Sequence, residues 1–123
     1  MEWKFTGSKP VYQQIEQILQ TAVLAGKFAP GQRVPSVRDL AAQARVNPNT
    51  VQRAYAELEQ AGILVCGGTM GRCVTQDPSV LEALREQVIR EAVAQTAEQF
   101  RALGIPIREA AALLMQMEET EDA

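Results

Sequence analysis

The sequence predicts a mainly α protein with one small β-hairpin, a first domain over residues 1–76 and a helical tail over residues 77–123. Three observations carry that class. Apolar residues recur at three- and four-residue spacing in several separate stretches. One stretch, "ILVCGGTMGRCV" (Ile63–Val74), instead has β-rich ends around a glycine-rich middle and reads as a hairpin. The helical stretches are bracketed by residues that start or stop helices. At 123 residues there is room for one compact domain and an appendage.

Taken in order, residues 1–8 read as a loose arm or a short strand, with Trp3 and Phe5 alternating with charges. Val11, Tyr12, Ile15, Ile18, Leu19, Ala22 and Val23 then define a first helix, and Gly26 stands where it should stop. "FAPGQRVP" (Phe28–Pro35) reads as turns. Ser36 is placed to cap a second, short helix, with Asp39 three residues on, and Val37, Leu40, Ala41 and Ala44 give that helix one apolar face. After a tight connection at Arg45-Val46, Asn47 is a cap and Pro48 fits the first helical position, where its missing N–H is not needed. Val51, Tyr55 and Leu58 follow at helical spacing and Gly62 terminates. Two short helices joined by a turn of about three or four residues form a helix-turn-helix, and the hairpin after it supplies a wing. Asp77-Pro78 marks the boundary. Beyond it a long helix is apolar at Leu81, Leu84, Val88, Ala92 and Phe100, Gly104 ends it, and Pro106 starts a shorter helix carrying Leu113, Leu114 and Met117. "EETEDA" reads as a solvated acidic tail.

Composition narrows the chemistry. The chain has no histidine and two cysteines, so the commonest general base and metal ligand are missing. No phosphate-loop motif or paired carboxylates suggest an enzyme, and no cofactor or metal is called for. No apolar run approaches the ~20 residues of a membrane span, and no signal peptide is seen, so a cytoplasmic protein is expected. Residues 1–77 hold eight Lys/Arg and six Asp/Glu, a balance of +2, whereas residues 78–123 hold four and nine, a balance of −5. The more basic half is the one suited to a polyanion.

The helix over residues 47–61 points the same way. On a wheel at about 100° per residue, Val51, Ala54, Tyr55 and Leu58 share one face and Asn49, Arg53, Ala56 and Gln60 the other, flanked by Thr50 and Gln52. Amides pair with adenine, guanidinium with guanine, and hydroxyl with phosphate, so this face suits a major groove. An ordinary solvated helix face would also be polar; the preceding helix, the short turn and the hairpin favour nucleic acid. Glu57 and Glu59 are read as solvated charges.

"PGQRVPSVRDLAAQARVNPNTVQRAYAELEQAGIL" with its glycine-bearing hairpin resembles the winged helix-turn-helix of GntR-family transcriptional regulators, over about residues 10–75. The short two-helix tail and "NPNTVQRAY" resemble the YtrA-like subfamily. That resemblance implies a repressor, often of transporter operons, that binds a palindromic operator on double-stranded DNA as a homodimer joined through its tail helices. The candidate DNA-contacting residues are Arg33, Ser36, Arg38, Arg45, Asn47, Asn49, Thr50, Gln52, Arg53, Gly71 and Arg72. The candidate dimerisation residues are Leu81, Leu84, Val88, Ala92, Phe100, Leu113, Leu114 and Met117; the other use of that apolar stripe is packing back on the first domain. Arg45 replaces a usual glycine, at a cost of about 1 kcal/mol if its φ is positive. The wing departs further: Thr69 stands for its first glycine, Gly67-Gly68 for a basic pair, and only Arg72 is left to reach a groove. With a turn at Thr69-Met70, Cys66 and Cys73 would face each other at ~4.5–5.5 Å, the upper edge of disulfide reach; a redox-sensitive pair and two small half-buried thiols are the alternatives. Met70 would be exposed at the wing tip. A winged-helix module for protein contact, without specific DNA binding, is the competing function, and the sequence names no effector.

Overall fold

The computed structural model describes residues 1–122, and the side chains of all of these except 70 and 120–122. Helices α1 (Val11–Leu24), α2 (Val37–Ala44) and α3 (Pro48–Gln60) are followed by strands β1 (Leu64–Cys66) and β2 (Arg72–Val74), then by α4 (Pro78–Ala102) and α5 (Ile107–Asp122). The chain divides into two compact units, residues 1–86 and residues 87–123.

In the first unit α1 and α2 both pack on α3. Ile15 of α1, Leu40 of α2, Val51, Ala54 and Tyr55 of α3 and Val74 of β2 are all fully buried. Burying side chains of the larger sizes contributes roughly 1.5–3 kcal/mol each. The helix boundaries follow from local chemistry. Ser36 Oγ accepts the Asp39 N–H at 3.1 Å, and Asn47 Oδ1 accepts the Asn49 N–H at 2.8 Å, so both caps expected from sequence are made. Three helices stop by one device. Gly26, Gly62 and Gly104 take positive φ while the next residue, Lys27, Ile63 or Ile105, donates back to the carbonyl five residues before it. α2 stops the same way on Arg45, whose φ of 57° makes it the sole non-glycine among the described residues in the left-handed region. The strain expected at that position is therefore present.

Several expectations are corrected. Residues 1–8 form no strand, and the arm is tied to α1 at Thr6. Gln14, buried on α1, accepts the Thr6 N–H at 2.9 Å and donates to the carbonyls of Thr6 and Lys9 at 2.8 and 2.7 Å, which pins the arm. The "turn-rich" segment before α2 contains a third strand position. Arg33 bridges Cys73, with Val34 N–H on the Arg72 carbonyl and Val74 N–H on the Gln32 carbonyl, both at 2.9 Å. The hairpin tip is a short 3₁₀ turn over Gly68–Met70 closed by Gly71 at φ 79°, not a two-residue turn. This shifts the register by one: Cys66 pairs with Arg72, and Cys73 with Val65. Alternate strand residues face opposite sides, so Cys66 is exposed, Cys73 is buried and both thiols are free. The cysteine pair across the strands does not exist. The Met70 side chain lies outside the described residues.

α4 starts on Asp77, whose Oδ1 accepts the Ser79 hydroxyl at 2.7 Å and the Ser79 N–H at 2.9 Å. Those bonds hold the Asp77 carboxyl below its usual range, the hydroxyl contributing most. Leu84 is already buried within the single chain and so leaves the dimerisation set; Leu81 is half-buried. In the second unit, α5 runs on through Asp122, so the acidic "EETED" segment continues a helix rather than trailing from one. Among the described residues no helix is long and apolar enough to cross a membrane.

Candidate functional site

Where α2, α3 and the wing meet, a cleft of about 490 Å³ opens. Six of the residues singled out from sequence line it: Arg33 from the strand position before α2, Ser36 and Arg38 from α2 and its cap, Gln52 from α3, and Gly71 and Arg72 from the wing. Its floor is organised by Tyr55. The phenol donates to the Pro35 carbonyl at 2.7 Å, tying α3 to the approach of α2, and burial pushes its pKa up to about 12. Gly71 sits close over Arg33: a Cβ there would lie 3.8 Å from the Arg33 Nε, and its positive φ disfavours any side chain.

Arg45, Asn47, Asn49 and Thr50 cluster separately, at the turn into α3 and along its first residues; Thr50 is half-buried and the others are exposed. Asn47 uses its side-chain oxygen on its own helix cap. The side chains of Asn49, Gln52, Arg38 and Arg45 are exposed and form no hydrogen bond or ion pair with another described residue. The exposed side of α3, Asn49, Gln52, Arg53, Ala56, Glu57 and Gln60, carries amides, one cation and one acid but no large apolar group.

Two of the predicted contact residues are engaged within the chain. Arg53 turns towards α1: its guanidinium carbon lies 3.8 Å from the centre of the Tyr12 ring, its Nη2 donates to the Tyr12 hydroxyl at 3.1 Å, and its Nε lies 4.0 Å from Glu57. Arg72 is ion-paired to Glu59 through Nε and Oε1, and its guanidinium carbon stands 5.4 Å from the Tyr55 ring centre. Glu57 and Glu59 are thus not simply solvated. The pairing roles of Tyr12 and Glu59, and Glu16 altogether, were missed by sequence reasoning. A hairpin with one cation, following a helix with acids in its last turns, was the available signal for Glu59.

Glu16, on α1, faces this second cluster. One of its oxygens, Oε1, is buried with no hydrogen-bond partner among the described residues. Burial first, then the proton it can share with Glu57 and that neighbour's charge, push its pKa up to about 8, while Arg53 acts in the opposite direction. Near neutral pH the carboxyl is therefore largely protonated. Among the described residues no group of cysteines and carboxylates is placed to hold a metal.

Comparison with known proteins agrees with this geometry. The model of "Bacterial regulatory proteins, gntR family" matches residues 11–71. The HTH-type transcriptional regulator YhcF of Bacillus subtilis is 33% identical over 105 residues, covering 85% of this chain and 87% of that protein. The transcriptional repressor YtrA of the same organism is 49% identical over 57 residues, 46% of this chain and 44% of YtrA. A GntR-family transcriptional regulator from Listeria monocytogenes superposes with a TM-score of 0.80 at 33% identity, over 91% of this chain and 98% of that one. The DNA-binding domain of AraR, solved in complex with operator ORX1, superposes with a TM-score of 0.56 at 26% identity, over 61% of this chain and 96% of that domain.

Proposed function

The chain belongs to the gntR family of bacterial regulatory proteins, and from that premise we propose that it is a homodimeric repressor that reads a palindromic operator through the start of α3. The family and its relatives are transcriptional regulators, not enzymes. The observation that carries the proposal is the convergence of Arg33, Arg38, Gln52 and Gly71, from four separate segments, on one cleft beside the unengaged amides of α3.

In this reading Asn49 and Gln52 take base edges, since only their side chains on α3 are both exposed and free of internal bonds near its start. Arg33, Arg38 and Arg45 meet phosphates and fix the register. Gly71 brings wing backbone close to the duplex. Arg53 is dropped from the base-reading set, because its stack on Tyr12 directs it to α1. The similarity to YtrA, named a repressor, and to AraR bound to its operator supports repression and operator binding.

Dimerisation is supported by the second unit, where α4 and α5 form an apolar groove of about 350 Å³ lined by Val93, Phe100, Ile107 and Leu114 among others. Leu113, Leu114 and Met117 stand exposed along the same helix. A two-fold contact through this face would set two copies of α3 at half-sites one helical turn, about 34 Å, apart. The exposed face of α3 lacks the large apolar groups that a protein-contact module would need there, which favours DNA over the alternative.

The test is binding to fragments of the chain's own upstream region across a salt series, with wild type and an Asn49→Ala/Gln52→Ala variant. Wild type selects one fragment with a half-site repeat, and the variant loses that preference by about tenfold or more, since each good base pairing is worth ~1–3 kcal/mol. Equal binding to every fragment by a folded dimer would reject the sequence-specific reading.

A further inference from the structure

Glu59 is the sole carboxylate among the residues that line the cleft, against three guanidinium groups, Arg33, Arg38 and Arg72. It holds Arg72, the cation of the wing, in an ion pair, and both side chains remain partly open to solvent, at 29% for Arg72 and 36% for Glu59. Arg72 also stands over the Tyr55 ring, so the pair is seated against the core rather than waving in water. A phosphate entering the cleft would meet a guanidinium whose Nε–H is already given to Glu59 and whose charge that carboxylate offsets.

We propose that Glu59 is a specificity-determining residue that stands in for a phosphate, keeping Arg72 occupied so that DNA must displace an internal carboxylate before the wing cation engages. Such a competitor lowers binding to any backbone. On scrambled DNA the pair stays closed and the wing cation adds nothing, whereas on the operator the α3 contacts seat the duplex against the wing and open the pair, so the cost falls on the two unequally. The proposal rests on the DNA-binding reading above.

The full-length chain is tested as wild type, Glu59→Gln, Arg72→Gln and the double variant, on the upstream fragment selected by wild type and on a scrambled duplex of equal length. Releasing Arg72 adds about one phosphate contact. Glu59→Gln should therefore bind the scrambled duplex roughly tenfold tighter at 0.1 M salt and steepen its salt slope by about one. The operator gains less, so the ratio of operator to scrambled affinity falls. In the Arg72→Gln background the same Glu59→Gln change produces no gain. Thermal unfolding by circular dichroism confirms that all four proteins are folded.

Two results overturn the proposal while leaving DNA binding intact. A gain that persists in the Arg72→Gln background means that Glu59 acts only as a nearby negative charge. Equal weakening by Glu59→Gln and Arg72→Gln means that the pair merely fastens the wing. Failure of wild type to bind any duplex at low salt overturns the DNA-binding reading itself, and this inference with it.

Discussion

The two units use apolar residues in opposite ways. In the first, Ile15, Leu40, Val51 and Tyr55 are completely buried within one chain. In the second, Val93 and Met117 are 62% exposed and Leu103 73%, while Ala110 is the one residue buried among those described there. The difference is geometric. Three helices and a hairpin can enclose a centre, with α3 covered by α1 and α2. Two helices joined by a tight Gly104 turn can only share one seam, and every other apolar position faces outward. The first unit is a finished core; the second presents a surface of a kind soluble monomers rarely leave bare.

That contrast can be broken most severely at α5. Leu113→Asp combined with Leu114→Asp should abolish self-association. Each leucine is worth roughly 1.5–3 kcal/mol of burial and counts once per copy, so the dimer dissociation constant should rise by about a thousandfold or more. Sedimentation velocity reads the change, and operator affinity falls with it. The first unit should keep its helical signal, because none of its buried residues lies on α5. A variant that remains dimeric would place the interface elsewhere.

A smaller effect sharpens the picture of the first unit, whose packing is not perfect at its rim. The Glu16 carboxyl is raised to about 8, first by burial and then by Glu57, with Arg53 opposing. A raised carboxyl is harmless to the fold below its unfolded pKa near 4.5; its cost accumulates as pH rises from there and is complete once pH passes about 8. Glu16→Gln should therefore match wild type in melting temperature near pH 4.5. At pH 9 it should be more stable by about 1–2 kcal/mol, a figure reduced for the solvent the cluster still meets. A pH-independent difference would show that the fold does not raise the Glu16 carboxyl.

The smallest effect is at Arg45. Arg45→Gly relieves the left-handed backbone but loosens the unfolded chain, for a net gain of at most about 1 kcal/mol in chemical denaturation. If its guanidinium meets a phosphate, the same variant binds DNA a few-fold more weakly and its salt slope falls by about one. A variant with unchanged DNA binding would make Arg45 only a strained helix stop.

What was legible in the sequence is what short-range chemistry decides. The caps at Ser36 and Asn47, the stops at Gly26, Gly62 and Gly104, and the buried faces of α1 to α3 depend on spacing of a few residues. What was not legible depends on pairings far apart in the chain. The Arg33–Cys73 bridge spans a gap that no periodicity marks, and the strand position hides in a segment rich in Pro and Gly. The hairpin register turned on one residue in the tip, and that residue decided which thiol faced solvent. Arg53 and Arg72 read as free cations because their partners, Tyr12 and Glu59, lie 41 and 13 residues away. The convergence of the cleft residues was foreseeable only through family resemblance.

The one-residue shift in the hairpin also makes the wing an address for selective chemistry. Cys66 is exposed and borders the cleft, while Cys73 is sealed at 6% exposure, and the chain has no other thiol. A maleimide dye or spin label applied to the folded, unaltered protein will attach at a single point, beside the place where DNA is proposed to enter. The natural sequence thus carries its own reporter of wing occupancy, with no engineered cysteine required.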